Sequence, residues 1–112
     1  MTGVQTCALP IFPEIEISVY RIVQEALSNI VKHAEAEKIQ VELTYENELL
    51  RLTIQDDGKG FDPDILEEYQ VANNSLGIAG MQERTELLGG TFEITSAWKE
   101  GTRIAVEIPA KN

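Results

Sequence analysis

Residues 49–60, "LLRLTIQDDGKG", begin as one kind of structure and finish as another. Leu50, Leu52 and Ile54 alternate with Arg51, Thr53 and Gln55, the period of a half-buried strand. The alternation then runs into Asp56 and Asp57, with Gly58 and Gly60 just beyond. Asp-Gly is a common turn dipeptide, so the plain reading is a turn at a strand end. Acid-glycine runs also hold calcium or let a ligand approach the backbone. The flanking sequence decides what this strand belongs to.

On its N-terminal side "KIQVELTY", 38–45, alternates Ile39, Val41, Leu43 and Tyr45, and "ENE" turns, giving a hairpin. Before the hairpin, residues 14–34 read as a helix: Val19, Ile22, Val23, Ala26, Leu27, Ile30 and Ala34 recur at three- and four-residue steps. Pro13 suits its first turn, and Glu14 and Glu16 suit its positive end. On the C-terminal side, 56–76 read as a long loop with a weak helical patch, "DILEEY", and loops of that length are usually functional. A second helix is expected over 77–88, where Ile78, Met81, Thr85 and Leu88 share a face and Gly89-Gly90 stop it. Two more alternating stretches follow, 91–98 through Phe92, Ile94 and Trp98, and 102–108 through Ile104, Val106 and Ile108, with "KEG" between them. Helix, two strands, loop, helix, two strands is an α+β order: helices on one face of a largely antiparallel sheet of about four strands, a two-layer sandwich.

A chain of 112 residues builds one small core. Nineteen acids against nine bases argue against non-specific nucleic-acid or anionic-membrane binding, where a basic patch supplies the affinity. A phosphate-bearing ligand would therefore rest on backbone amides, a few cations or a metal ion. The single cysteine rules out an internal disulfide and a cysteine zinc cluster, and fits a cytoplasmic domain. No apolar run reaches the roughly 20 residues of a membrane span.

Several motifs can be discarded. There is no G-x-x-x-x-G-K-[ST] phosphate loop. "GKGFDP" has proline where a dinucleotide fingerprint needs its third glycine. A calcium loop from Asp56 would carry glycines at two ligand positions and Phe61 at the invariant glycine. "SLGIAG" resembles a dinucleotide fingerprint but follows a loop rather than a strand. Two features stay open. Glu25, Asn29, Lys32 and His33 make a polar stripe on the first helix, either a solvated face or the groups a metal–phosphate site uses. "GIAGMQER" is either a helix start packed through glycine or one whose free amides attract phosphate.

Taken in order, "YRIVQEALSNIVKHA", "DDGKGF", "SLGIAGMQER", "LGGTFEI" and "EGTRIAVEIP" resemble the GHKL (Bergerat-fold) ATPases, across residues 13–109. Within them the chain is most similar to the catalytic ATP-binding domain of sensor histidine kinases that partner LuxR/NarL-type response regulators. The resemblance implies ATP and Mg²⁺ as ligands. It puts magnesium on Asn29, with Glu25 one turn earlier acting on the metal's water and the reacting phosphate. Lys32 and His33 would meet phosphate oxygens. Asp56 would accept from the adenine amino group, because a carboxylate selects an exocyclic amine over a carbonyl. Gly58 would let the ring approach, Gly60 would start the lid, and Asp57 would serve the turn. Gly77, Ile78 and Gly80 match the second glycine box, with Ser75 standing where many relatives have glycine, and Thr102 matches a threonine that reaches adenine.

The implied activity is that of a protein histidine kinase in a two-component system. This domain presents Mg-ATP to a histidine on an upstream dimerisation domain, and His33 does not match that histidine. The domain is cytoplasmic, touching neither nucleic acid nor membrane, whether or not the intact kinase is membrane-anchored. The alternative on the same fold is a stand-alone serine kinase of the anti-sigma-factor type, and outside it a non-enzymatic module whose glycines only build turns.

"MTGVQTCALPI", residues 1–11, has no periodicity and resembles the translation of a common short-read sequencing adapter. It is read as adapter-derived and disordered, so that Cys7 carries no function and residues 12–112 form an N-terminally truncated domain. The family's first strand would then be missing, leaving about four strands, an unprotected sheet edge and reduced stability.

Overall fold

The computed structural model describes residues 2–6, 13–31, 35–60, 77–97 and 99–110. Its elements run β1 (Thr2–Thr6), α1 (Pro13–Asn29), β2 (Ile39–Glu46), β3 (Leu49–Asp56), α2 (Ile78–Leu87), β4 (Thr91–Ala97) and β5 (Gly101–Pro109). The expected loop beyond residue 60 lies outside the described residues, as do Cys7, Lys32, His33, Ser75 and Trp98.

The opening hairpin forms as the alternation predicts. β2 and β3 pair antiparallel, with Val41 opposite Ile54 and Leu43 opposite Leu52. Asn47 and Glu48 close it, both at positive φ (54° and 60°), the twist a two-residue hairpin turn demands. β5 then pairs antiparallel with β3, and β4 with β5, so the strand order is β1-β2-β3-β5-β4.

Period two sorts this sheet into two faces. Leu50, Leu52, Ile54 of β3 and Ile104, Val106, Ile108 of β5 are buried beneath the helices. The opposite row carries Arg51 and Glu107, cross-strand partners whose side chains meet at 3.4 Å. Both belong to an exposed pair, worth about 0–1 kcal/mol. α1 contributes Ile22 (0% exposed) and Ala26 to the core, the turn after it contributes Ile30, and α2 contributes Ile78 and Met81. The helical turn widens to a π-type turn at Ile30–Val31. Thr85 is the polar member of α2's buried face, and its hydroxyl donates to the Met81 carbonyl (2.9 Å), which removes the cost of burying it.

One expectation is corrected. The four antiparallel strands are those read from the sequence, but a fifth joins them. β1 pairs in parallel with β2 over five residues, Thr2 opposite Ile39 through Thr6 opposite Leu43. Residues 2–6 are therefore ordered, and the β2 edge is covered along Ile39–Leu43. The reason is not in the segment's own pattern. An open strand edge presents a row of unpaired N–H and C=O groups that any compatible extended segment can satisfy. "TGVQT", uncharged and rich in β-branched residues, is such a segment.

Candidate functional site

The core row of β3 does not stop at Ile54. Two residues on, the same face presents Asp56, so a carboxyl group occupies a position that the period assigns to the core. Asp56 is 5% exposed and stands cross-strand from Thr102, itself buried at the start of β5. The Gly58 amide donates to Asp56 Oδ1 at 2.8 Å, folding the turn back on the carboxylate. Burial is the largest influence on this group and raises its pKa above the ordinary carboxylate value. The Gly58 amide opposes that, the Asp57 charge adds to it, and the Thr102 amide opposes it. Thr102 Oγ1 lies 2.9 Å from Ser96 Oγ, which is also within 3.2 Å of the Gly101 carbonyl oxygen. Gly101 has φ 82°, and a Cβ there would collide with the Asp56 carbonyl oxygen, so glycine is what lets β5 begin beside the acid.

Asp57 points the other way. Its Oδ1 accepts from the backbone amides of Glu37 (2.9 Å) and Lys38 (2.8 Å), and its own amide donates to the Lys38 carbonyl (3.2 Å). The Lys38 amide is the main reason its pKa is lowered. Asp57 thus ties the end of β3 to the approach to β2, a longer reach than turn chemistry requires. Lys59 accepts from the Lys99 amide, which fixes the glycine turn to the β4–β5 connection. Gly60, at φ 68°, is buried.

The second cluster lies between the helices. Gly77 precedes α2 at φ 62°, and the Glu25 side chain of α1 occupies the space a Cβ on Gly77 would need. Around that contact is a cavity of about 200 Å³ lined by Arg21, Gln24, Glu25, Gly77, Gly80, Met81 and Arg84. Asn29 closes α1 one turn after Glu25, about 6 Å along the axis, and is half-buried.

The expected site residues therefore fall into two groups. Asp56, Gly58 and Thr102 meet where β3 ends and β5 begins, with Gly60 two residues further along the turn; Glu25, Gly77 and Gly80 meet around the cavity, with Ile78 buried on α2 and Asn29 at the end of α1. Lys32 and His33 lie outside the described residues. Sequence reasoning missed Arg21, Gln24 and Arg84. A signal was present: Arg21 extends the Glu25–Asn29 spacing one turn earlier, and Arg84 follows Gly80 by four residues.

Residues 14–112 match the family described as histidine kinase-, DNA gyrase B- and HSP90-like ATPase. The chain belongs to that ATPase family. It is 41% identical over 97 residues to the signal transduction histidine-protein kinase/phosphatase DegS of Bacillus subtilis, covering 87% of this chain and 25% of DegS. It is 43% identical over 95 residues to the sensor histidine kinase LiaS of the same organism, covering 85% and 25%. This ATPase domain thus spans a quarter of the length of these relatives. Its fold is similar to that of the blue-light activated histidine kinase of Erythrobacter litoralis EL346, with a TM-score of 0.81 at 25% identity over 96% of this chain and 34% of that one. Within the family, these two relatives are histidine kinases. Among the described residues no helix is long and apolar enough to cross a membrane.

Proposed function

We propose that this domain presents Mg-ATP for phosphoryl transfer to a histidine on a dimerisation segment of a two-component sensor kinase, whose phosphate passes on to a LuxR/NarL-type response regulator. The observation that carries the nucleotide end of this reading is Asp56, a carboxyl group on the core face at a strand end, backed by Gly58 and Thr102. Two backbone amides use part of its accepting capacity, and lone pairs remain for an exocyclic amine. Such a reader favours adenine, because guanine offers a carbonyl at that position and leaves the acid unpaired.

The donor set around α1 fits magnesium. Among the described residues no three of His, Cys, Asp and Glu come together as a metal cage. Mg²⁺ does not ask for one: it keeps several waters and takes one or two protein oxygens, the rest coming from phosphates. The Asn29 amide oxygen would be the direct ligand and Glu25 would act through water. Bound there, the ion would neutralise phosphate charge. The chain's own part is positioning: Asp56 and Thr102 hold the base, the α2 amides behind Gly77 receive phosphate, and Glu25 orients water. We assign the domain to the cytoplasm, where ATP is supplied.

Calorimetry with Mg-ADP and Mg-GDP on the wild type, Asp56→Asn and Asn29→Ala tests this. Mg-ADP is expected to bind and Mg-GDP to bind at least roughly tenfold more weakly. Asp56→Asn should lose roughly 10- to 100-fold in Mg-ADP affinity, the range of a hydrogen bond to a charged group. Asn29→Ala should erase the gain that Mg²⁺ gives over ADP alone. Equal binding of the two bases would remove Asp56 as the adenine reader.

A further inference from the structure

Among nineteen acids, two of the chain's nine bases stand on one cavity rim, Arg21 from α1 and Arg84 from α2. Neither guanidinium has an ion pair or hydrogen bond among the described residues. Arg21 has an obvious partner in Glu25, one turn along the same helix face, yet that carboxylate lies against Gly77 instead. Arg84 has no acid three or four residues away on its own helix. Both arginines are exposed, so the fold does not require them to be where they are.

Gly80 supplies an independent observation. It sits inside α2, where glycine is less stable than alanine, and it lines the same cavity. A Cβ at Gly80 would meet nothing within 4 Å. Among the described residues the packing therefore gives no reason for the missing methyl, whereas Gly77 has one in Glu25. Among the described residues, an open helix surface and two guanidinium groups without an ion pair line one cavity, which fits an anion lying close to the backbone.

Position along α1 says which anion. Asn29, Glu25 and Arg21 follow at one-turn steps, so Arg21 lies about 12 Å from Asn29 and beyond Glu25. If the nucleotide is bound as proposed above, on which this inference rests, the cavity is where its terminal phosphate ends. We infer that Arg21 and Arg84 form a two-sided clamp for the γ-phosphate of ATP over the bare surface of Gly80, and that they set the preference for ATP over ADP. Guanidinium suits this task because its fork bonds two phosphate oxygens at once.

Calorimetry of the full chain with Mg-ADP and with the non-hydrolysable β,γ-imido analogue of Mg-ATP tests the clamp. The wild type is expected to bind the analogue more tightly than Mg-ADP. Arg21→Gln and Arg84→Gln should each weaken the analogue roughly 5- to 20-fold and shift Mg-ADP less than twofold, and the double variant should bind both equally. Arg→Lys at either position should restore only part of the preference, since lysine returns the charge without the fork. Analogue affinity unchanged in the Gln variants would overturn the clamp, and so would equal losses for the two nucleotides. A wild type that binds Mg-ADP without preferring the analogue refutes the clamp alone. One that binds neither refutes the nucleotide reading beneath it.

Discussion

Asp56 and Asp57 are adjacent and respond to pH in opposite ways. Burial raises the pKa of Asp56, so the folded chain holds that proton more tightly than the unfolded chain does. Stability linked to Asp56 is therefore greatest below the ordinary carboxylate value of about 3.9 and falls as pH rises through the raised one. For Asp57 the sign reverses. The amides of Lys38 and Glu37 depress its pKa, so its stabilisation is present above about pH 4 and is lost as pH falls through the depressed value. Urea melts of the wild type, Asp56→Asn and Asp57→Ala between about pH 3 and 8 separate the two. Asp56→Asn should match or exceed the wild type at neutral pH and lose the decline on the rising side, while binding nucleotide poorly. Asp57→Ala should be less stable at neutral pH and converge on the wild type in acid. An Asp56→Asn variant markedly less stable at pH 7 would mean the carboxylate serves the fold rather than a ligand, against the usual cost of a functional buried acid.

At the scale of elements, α2 and the start of β5 hold glycines with opposite reasons. Gly101 is required by its φ of 82° and by the Asp56 carbonyl against it, so Gly101→Ala should cost at least about 1–2 kcal/mol. Gly80 is helical and open, so Gly80→Ala should gain about 1 kcal/mol by urea denaturation while weakening the imido analogue. If Gly80→Ala instead destabilised α2, glycine there would have a structural reason and would no longer point to an anion.

The same scale shows what the sequence could and could not reveal. Both helices and the four antiparallel strands were legible because burial on one face writes its own period into the residues, from Ile22 and Ala26 to Leu50, Leu52 and Ile54. Asp56 was legible because it breaks that period and is followed at once by glycines. Arg21 and Arg84 were not, since an exposed arginine on an amphipathic helix looks like any solvated residue until the facing helix is known. β1 was not legible either. Its order comes from the edge it covers, and nothing within "TGVQT" records that edge.

For the molecule as a whole, that edge is where stability and solubility part company. Ordering five residues costs about 1–2 kcal/mol each in backbone entropy, and each hydrogen bond gained returns only about 0.5–1.5 kcal/mol. Pairing of β1 is therefore close to neutral in free energy, and its removal should lower the thermal midpoint by no more than several degrees. What its removal changes more is the surface. β2 would present an eight-residue edge, Ile39–Glu46, with alternating Ile39, Val41, Leu43 and Tyr45 beside the unpaired backbone, a template for a strand from another copy. A chain starting at residue 8 should therefore fold with nearly unchanged stability yet associate as its concentration rises. Sedimentation velocity at several concentrations, set beside thermal melts of the same samples, decides it. A monomer at every concentration with an unchanged midpoint would show that β1 protects nothing. A collapse of the midpoint with no association would show instead that β1 belongs to the cooperative core.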